Sequence, residues 1–178
     1  MDNYRKLASL AVLAAIAIGF SCAPIFAQST TPSGDRDFAA TAAEANNGEI
    51  VLAKLALQKT NEPSIRMLAQ RILADHTKAG AQLSSIAASE GLKLPASGEL
   101  LPQDQQTQQN LSSMNSHPFD IAYVNSQLSD HNAAIALFQK EAQNGSDAAL
   151  KQFAASTLPT LQAHLRLAQQ AMQQVAPQ

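Results

Sequence analysis

The sequence predicts an all-α protein, a four-helix bundle with one long crossover. Alanine, leucine and glutamine dominate a 178-residue chain without tryptophan, and all three favour helix. Four stretches carry apolar residues at spacings of three and four, which is typical of helices with one buried face. Two short turns and one long link connect the stretches, so they can pack around a single core.

The N-terminal segment, 1–27, is predicted to be a secretory signal peptide. Two basic residues precede an almost wholly apolar run, 7–20, and small Ala27 closes the segment. The run is shorter than the roughly 20 residues that a membrane span needs. We therefore predict cleavage after Ala27 and an exported protein of the periplasm or cell envelope. An uncleaved anchor and a lipidated Cys22 are the alternatives.

The composition of the remaining chain narrows the function classes. A net charge of −2 without a basic patch argues against nucleic acid as a partner. Residues 28–34 are interpreted as a flexible leader and 35–176 as one bundle domain that contains no membrane span. Neither a nucleophile arrangement nor a glycine-rich phosphate loop is present. The sequence thus favours a non-enzymatic protein, and it does not indicate an oligomeric partner.

The first two helices are predicted at about 35–59 and 63–90, with a short turn between them. Glu49 lies within the apolar stripe of the first helix, four residues from an alanine on either side. His76 lies in the stripe of the second helix, four residues after an isoleucine and three before an alanine. Gly91 supplies a stop signal for the second helix.

A long link, 91–118, follows, and a short polar helix is predicted within it at 103–114. Such a link can travel the full length of a bundle, so the second and third long helices are predicted to run parallel, as in ferritin-like bundles. The third helix extends to about residue 143 and carries His131 in its stripe. The fourth extends to about residue 175 and carries His164 in its stripe.

Several short phrases along the chain resemble a single family. They are Gly48-Glu49-Ile50-Val51, Leu73-Ala74-Asp75-His76, Phe119-Asp120-Ile121-Ala122-Tyr123, Ser129-Asp130-His131 and Thr157-Leu158-Pro159-Thr160-Leu161-Gln162-Ala163-His164-Leu165. The family is the exported bacterial ferritin-like family labelled domain of unknown function 4142 (DUF4142), whose members often carry an outer-membrane label. The resemblance covers about 37–172. It implies a ferritin-like bundle and export, and it implies no reaction.

Glu49, His76, His131 and His164 form a candidate metal site. Three histidines and one carboxylate suit a divalent ion of zinc, iron, manganese or copper. Counted from the turns, Glu49 and His76 differ in height by about 4.5 Å, and His131 and His164 by about 7.5 Å. Ferritin-like di-iron sites carry a Glu-x-x-His pair on two helices. This chain has no such pair, which argues against di-iron chemistry.

A structural alternative needs no metal. A buried, unpaired carboxylate costs several kcal/mol, so Glu49 could instead join the histidines in a polar network that specifies packing in a non-enzymatic envelope protein. Asp75 and Asp130 point about 100° away from their neighbouring histidines, and either could support a ligand histidine on another helix. Asp75 has Arg71 and Lys78 at helical spacing, which favours surface pairing. Asp130 has no basic residue at those spacings, so it is the better candidate for supporting a ligand histidine on another helix.

Overall fold

The structure, a computed structural model, describes residues 31–176, and five helices account for most of that range. They are α1 Ser33–Lys59, α2 Pro63–Glu90, α3 Pro102–Ser113, α4 Ser116–Asn144 and α5 Ala148–Val175. The described range contains no strand, which confirms the predicted all-α class. None of its helices is both long and apolar enough to cross a membrane. The predicted signal peptide, 1–27, lies outside the described residues.

The hairpin of α1 and α2 is set by local signals in its turn. The Glu62 carboxylate accepts a hydrogen bond from the Ser64 backbone N–H at 3.3 Å and caps α2. Pro63 takes the first helical position, where the missing N–H would have had no helical partner. Gly91 ends α2 with a φ of 64°, a left-handed conformation that glycine adopts without steric cost.

Hydrogen bonds at the two ends of the bundle fix the directions of the helices. The Asp35 carboxylate accepts from the backbone N–H groups of Ser146 at 3.2 Å and Asp147 at 2.8 Å, so the start of α1 lies against the α4–α5 turn. The Thr60 hydroxyl donates to Asp120 at 2.6 Å, so the end of α1 lies against the start of α4. α1 and α4 are therefore antiparallel neighbours, as are α2 and α5. α2 runs parallel to α4, as predicted.

The crossover that contains α3 is tied to α1. The Asn47 side-chain amide donates to the carbonyls of Ala96 at 2.9 Å and Glu99 at 3.2 Å. Nearer the other end of α1, the Lys59 ammonium donates to the Ser112 carbonyl at 2.7 Å. α3 itself packs on α1 and α4. The crossover consequently covers one side of the bundle along its length.

The apolar core is divided into two clusters along the bundle axis. The first cluster includes Leu52, Ile65, Leu68, Ile72, Phe119 and Val124. The second includes Phe38, Leu83, Phe138, Leu150, Phe153 and Leu161. On each of the four long helices a gap separates the residues of the two clusters. Polar side chains occupy that gap, and they form the candidate site.

Candidate metal centre

Glu49, His76, His131 and His164 lie in the layer between the two apolar clusters. Each comes from a different long helix. Their exposed fractions are 6%, 8%, 1% and 0% respectively. Polar groups buried this deeply are expected to have hydrogen-bond partners or ligands. The contacts of their polar atoms therefore indicate what the layer can do.

The three histidines converge on one point. The ring centroids lie 5.7 Å apart for His76 and His131, 5.4 Å for His76 and His164, and 5.2 Å for His131 and His164. One ring nitrogen from each histidine lies within 4.8 Å of one from each of the others. A metal ion with bonds of about 2.0–2.1 Å would hold three such nitrogens about 3.3–3.6 Å apart. Small side-chain movements would bring the triad to that spacing.

Two histidines of the triad use one ring nitrogen to bond an oxygen outside it. His164 Nε2 lies 2.9 Å from Asp75 Oδ2, and His131 Nδ1 lies 3.0 Å from the backbone carbonyl oxygen of Gln127. Carboxylate and carbonyl oxygens only accept, so each of these nitrogens must carry the proton. Such partners also fix the tautomer and ring orientation of histidines that bind metals.

His76 follows the same pattern with a side-chain amide. Its Nδ1 donates to Asn46 Oδ1 at 3.1 Å. Asn46 packs against the backbone of α2 at Gly80, where a Cβ atom would lie only 2.7 Å from Asn46 Nδ2. Glycine at position 80 thus makes room for the amide that orients His76.

The remaining ring nitrogens point their lone pairs into the triad. With the outer nitrogens protonated, His131 Nε2 and His164 Nδ1 are both acceptors, yet they lie 3.1 Å apart. Two lone pairs at this distance repel each other unless a proton or a metal ion lies between them. His76 Nε2 is buried and has no hydrogen-bond partner in the described chain. Three acceptor nitrogens therefore share one enclosed space.

Burial keeps the triad neutral. Desolvation, with smaller contributions from the other two histidines, lowers the pKa of His76 to about 3. Desolvation and the neighbouring His164 lower the pKa of His131 to about 4. Burial also lowers the pKa of His164, although Asp75 opposes this shift. At neutral pH all three imidazoles are thus unprotonated on one nitrogen, the form in which imidazole binds metals.

Glu49 joins the layer on the outer side of His131. Its Oε1 lies 3.7 Å from His131 Nδ1, the nitrogen that also faces the Gln127 carbonyl. Burial, and then the charge of Asp130, raise the pKa of Glu49 to about 8. Its Oε2 atom has no hydrogen-bond partner in the described chain. The structure thus places Glu49 behind one candidate ligand rather than among the three inward-facing nitrogens.

The two aspartates that precede histidines have different surroundings. Asp75 pairs with Arg71 at 2.5 Å, as expected for a surface pair, and it also accepts the hydrogen bond from His164. Asp130 makes no hydrogen bond to any histidine of the described chain. Burial and the charge of Asp104 raise the pKa of Asp130 to about 6. The contact with a histidine on another helix therefore belongs to Asp75, and not to Asp130 as the sequence favoured.

Two residues near the layer were not found by sequence reasoning. Asn46 precedes Glu49 by three positions, so it shares the face of α1, and helical spacing could have identified it. Asp104 lies in the crossover, where its carboxylate rests against α1 at Gly48. Periodicity within a helix does not relate a residue of the crossover to α1, so this position had no signal in the sequence.

Comparison with known proteins identifies the family. A profile of the family described as domain of unknown function (DUF4142) matches residues 22–171. The chain belongs to the DUF4142 family. This match confirms the family resemblance carried by the short sequence phrases. None of the curated proteins matches the sequence.

Solved structures show the fold of this DUF4142 chain in other proteins. A DUF305 fragment from Deinococcus radiodurans is 12% identical, with a TM-score of 0.71, over 81% of this chain and 98% of the fragment. CopM in a Cu(I)-bound form is 17% identical, with a TM-score of 0.67, over 80% of this chain and 98% of CopM. CopM in an Ag-bound form has a TM-score of 0.65 at the same identity and coverage. These similarities establish a shared helical bundle.

Proposed function

We propose that this DUF4142 protein binds one transition-metal ion, with copper the first candidate, through His76, His131 and His164. The observation that carries the proposal is the 3.1 Å separation of two acceptor nitrogens, His131 Nε2 and His164 Nδ1. The unpartnered Nε2 of His76 adds a third acceptor in the same enclosed space. A metal ion would accept all three lone pairs at once and would turn a repulsive arrangement into a bonded one.

The donor set favours copper over the hard metals. Imidazole nitrogens suit zinc, copper, iron and nickel, whereas magnesium, calcium and manganese prefer oxygen ligands. The similar bundle of CopM, solved with Cu(I) and with silver, supports the same choice. Glu49 lies behind this ligand set, with its Oε1 3.7 Å from His131 Nδ1.

A protonated, metal-free network is the competing explanation. A proton added to His164 would let Nδ1–H donate to His131 Nε2 while Nε2–H still donates to Asp75. The lowered pKa of His164 opposes that proton. This network would also leave His76 Nε2 buried without a partner. A metal ion accounts for all three histidines, and the metal proposal is therefore the better supported.

The test uses tag-free protein, because a histidine tag would bind the same metals. We expect one equivalent of copper by elemental analysis after loading with Cu(I) under anaerobic conditions, and weaker retention of zinc. A metal that binds only the folded state at 100 times its Kd should stabilise it by about 2.7 kcal/mol, which thermal unfolding measures. The gain should disappear in His131→Ala. His117→Ala is the matched control, since His117 is exposed at the start of α4.

The metal-free network makes the opposite prediction in the same experiment. It expects that neither copper nor zinc changes the unfolding temperature, while His131→Ala still lowers it through lost packing and hydrogen bonds. That combination would reject metal binding and would leave the protein as a non-enzymatic bundle with a polar core layer.

We also propose that the bundle functions outside the cytoplasm. The charged start, the apolar run 7–20 and small Ala27 support this location. Mass spectrometry of cell-envelope protein should find a mature chain that begins at or near Gln28. A full-length chain confined to the cytosol would contradict the proposal.

A further inference from the structure

A cavity of about 250 Å³ adjoins the candidate metal centre. At its inner end it is lined by His76 and His131, which are buried. At its outer end it is lined by half-buried Asp104 and Asp130 and by exposed Gln103. The cavity thus connects the solvent-facing side of α3 and α4 with two of the three candidate ligands.

The polar lining of this cavity carries one sign of charge. Glu49 from α1, Asp104 from α3 and Asp130 from α4 all line it. None of its lining residues, all of which lie within the described range, is a lysine or an arginine. Asp104 and Asp130, which have no basic partner in this lining and lie beside apolar walls, concentrate negative potential there when ionised. Such a space favours cations and disfavours anions.

A buried oxygen in the same space has no partner. Glu49 is 6% exposed, and its Oε2 has no partner within hydrogen-bond distance in the described chain; the Gln127 side chain interacts with the carboxyl group and opposes the rise in its pKa. A buried carboxyl oxygen without a partner is costly, and a hydrated cation in the cavity would satisfy it through its water molecules. The acidic lining is thus accompanied by an unsatisfied acceptor close to the histidines.

The crossover holds its carboxylate at this place through close contact with α1. A Cβ atom on Gly48 would lie 2.9 Å from Asp104 Oδ2, so glycine permits the approach. The neighbouring Asn47 ties the crossover to α1 through the carbonyls of Ala96 and Glu99. The position of Asp104 is therefore built into the packing of the link.

We propose that this cavity is the access route by which a metal cation reaches the three histidines, with Asp104, Asp130 and Glu49 holding the cation on the way. The inference rests on the proposed metal binding. It adds the path by which the metal reaches the histidines and the sign of charge that this path favours. A route lowers the barrier in both directions. Removal of its charges therefore slows loading and release together and leaves the equilibrium affinity nearly unchanged.

The experiment compares loading rates in folded, tag-free protein. Cu(I) is supplied anaerobically as its acetonitrile complex, a cation, and unbound Cu(I) is trapped after a variable delay with bicinchoninate. Asp104→Asn/Asp130→Asn removes two charges without changing side-chain size. We expect about tenfold slower loading at low ionic strength, and a smaller difference in about 0.5 M salt, where charges are screened. Asp37→Asn, an exposed position on α1, is the matched control and should load at the wild-type rate.

The measured loading rates and affinities distinguish the proposed access route from the proposed metal site. Slower loading by the double variant, with an equilibrium Kd within about twofold of wild type, supports the route. Equal loading rates in all three proteins refute the route and leave the metal site standing. A weaker equilibrium affinity without a change in loading rate also refutes it, since the carboxylates would then hold the bound metal. Failure of the wild type to bind Cu(I) at equilibrium refutes the site and the route together.

Discussion

Asp75→Asn tests whether the hydrogen bond to His164 prepares a metal ligand. In the native chain the Asp75 carboxylate accepts from His164 Nε2 at 2.9 Å, which leaves Nδ1 free for a metal. Asparagine at this position keeps the size of the side chain and loses its charge. Its amide can also rotate and donate to Nε2, and this would move the proton to Nδ1 and block the ligand position.

The size of the effect follows from the surroundings of Asp75. Loss of a partner that orients a ligand histidine typically costs 10–100-fold in metal affinity. The Asp75 side chain is 23% exposed and shares its Oδ2 with Arg71, and solvent and the guanidinium both screen its charge. We therefore expect the lower part of the range, about tenfold, which corresponds to about 1.4 kcal/mol.

Competition for Cu(I) against a chelator of known affinity measures this loss. Arg71→Gln is the control, because it removes a neighbour of Asp75 and preserves the hydrogen bond to His164. Its affinity should stay within about threefold of wild type. Equal affinities for Asp75→Asn and wild type would show that the tautomer of His164 is set by something other than Asp75, and the account of the facing lone pairs would fail.

Three further predictions concern the surroundings of the layer. Gly80→Ala should weaken Cu(I) binding, because the added Cβ would lie 2.7 Å from Asn46 Nδ2 and displace the amide that orients His76; Gly34→Ala, with open space around it, should not. In metal-free protein, the free energy of unfolding should decrease as pH drops from about 6.5 towards 4. His76 binds a proton in this range when the chain is unfolded, whereas in the folded chain its pKa is about 3 and it stays neutral. Denaturant titrations of His76→Gln should show a pH slope shallower by up to about 1.4 kcal/mol per unit, and an unchanged slope would contradict the burial argument. Glu49→Gln should gain stability relative to wild type as pH rises from about 4.5 to 8, because the unfolded carboxyl ionises in this range whereas burial, which raises the pKa of Glu49 to about 8, keeps the folded one protonated; parallel stability curves across this range would refute this.

The sequence predicted the helices well because each long helix buries one continuous stripe. The second helix was predicted at 63–90, and α2 is Pro63–Glu90. The short helix within the crossover, predicted at 103–114, is Pro102–Ser113. Helical spacing and the glycine and proline stop signals are local properties, so a single sequence contains them. The parallel arrangement of α2 and α4 followed from the length of the link.

The height of the candidate ligands was predicted less well. Counting from a turn at Gly145 placed His131 and His164 about 7.5 Å apart along the axis, whereas nitrogens of their rings lie 3.1 Å apart. α4 ends at Asn144 and α5 begins at Ala148. The centre of the turn is therefore one residue later than assumed, which shortens the offset to about 4.5 Å. A sequence fixes the face of a helix more securely than the register between two helices.

The sequence could not show which residues of other helices the side chains of Asp75 and Glu49 contact. Arg71 at helical spacing led to the expectation that Asp75 pairs at the surface, and that pair exists. One carboxylate oxygen can accept from two donors, and the second donor, His164, comes from a helix that is distant in sequence. Spacing within α2 could not show it. Similarly, the stripe position of Glu49 was clear, but the side of His131 on which it lies depends on packing between α1 and α4.

The Asp-His pair occurs on both of the parallel helices, once in α2 and once in α4. A half-turn about the long axis would exchange α2 with α4 and α1 with α5. Asp75 on α2 would then correspond to Asp130 on α4, and α5, which carries His164, to α1, which carries Glu49. One aspartate thus acts on a base in the next helix and the other on an acid, which it drives towards its protonated form. Glu49→His would put a fourth histidine in the layer, so one substitution would place an imidazole where the buried acid now lies.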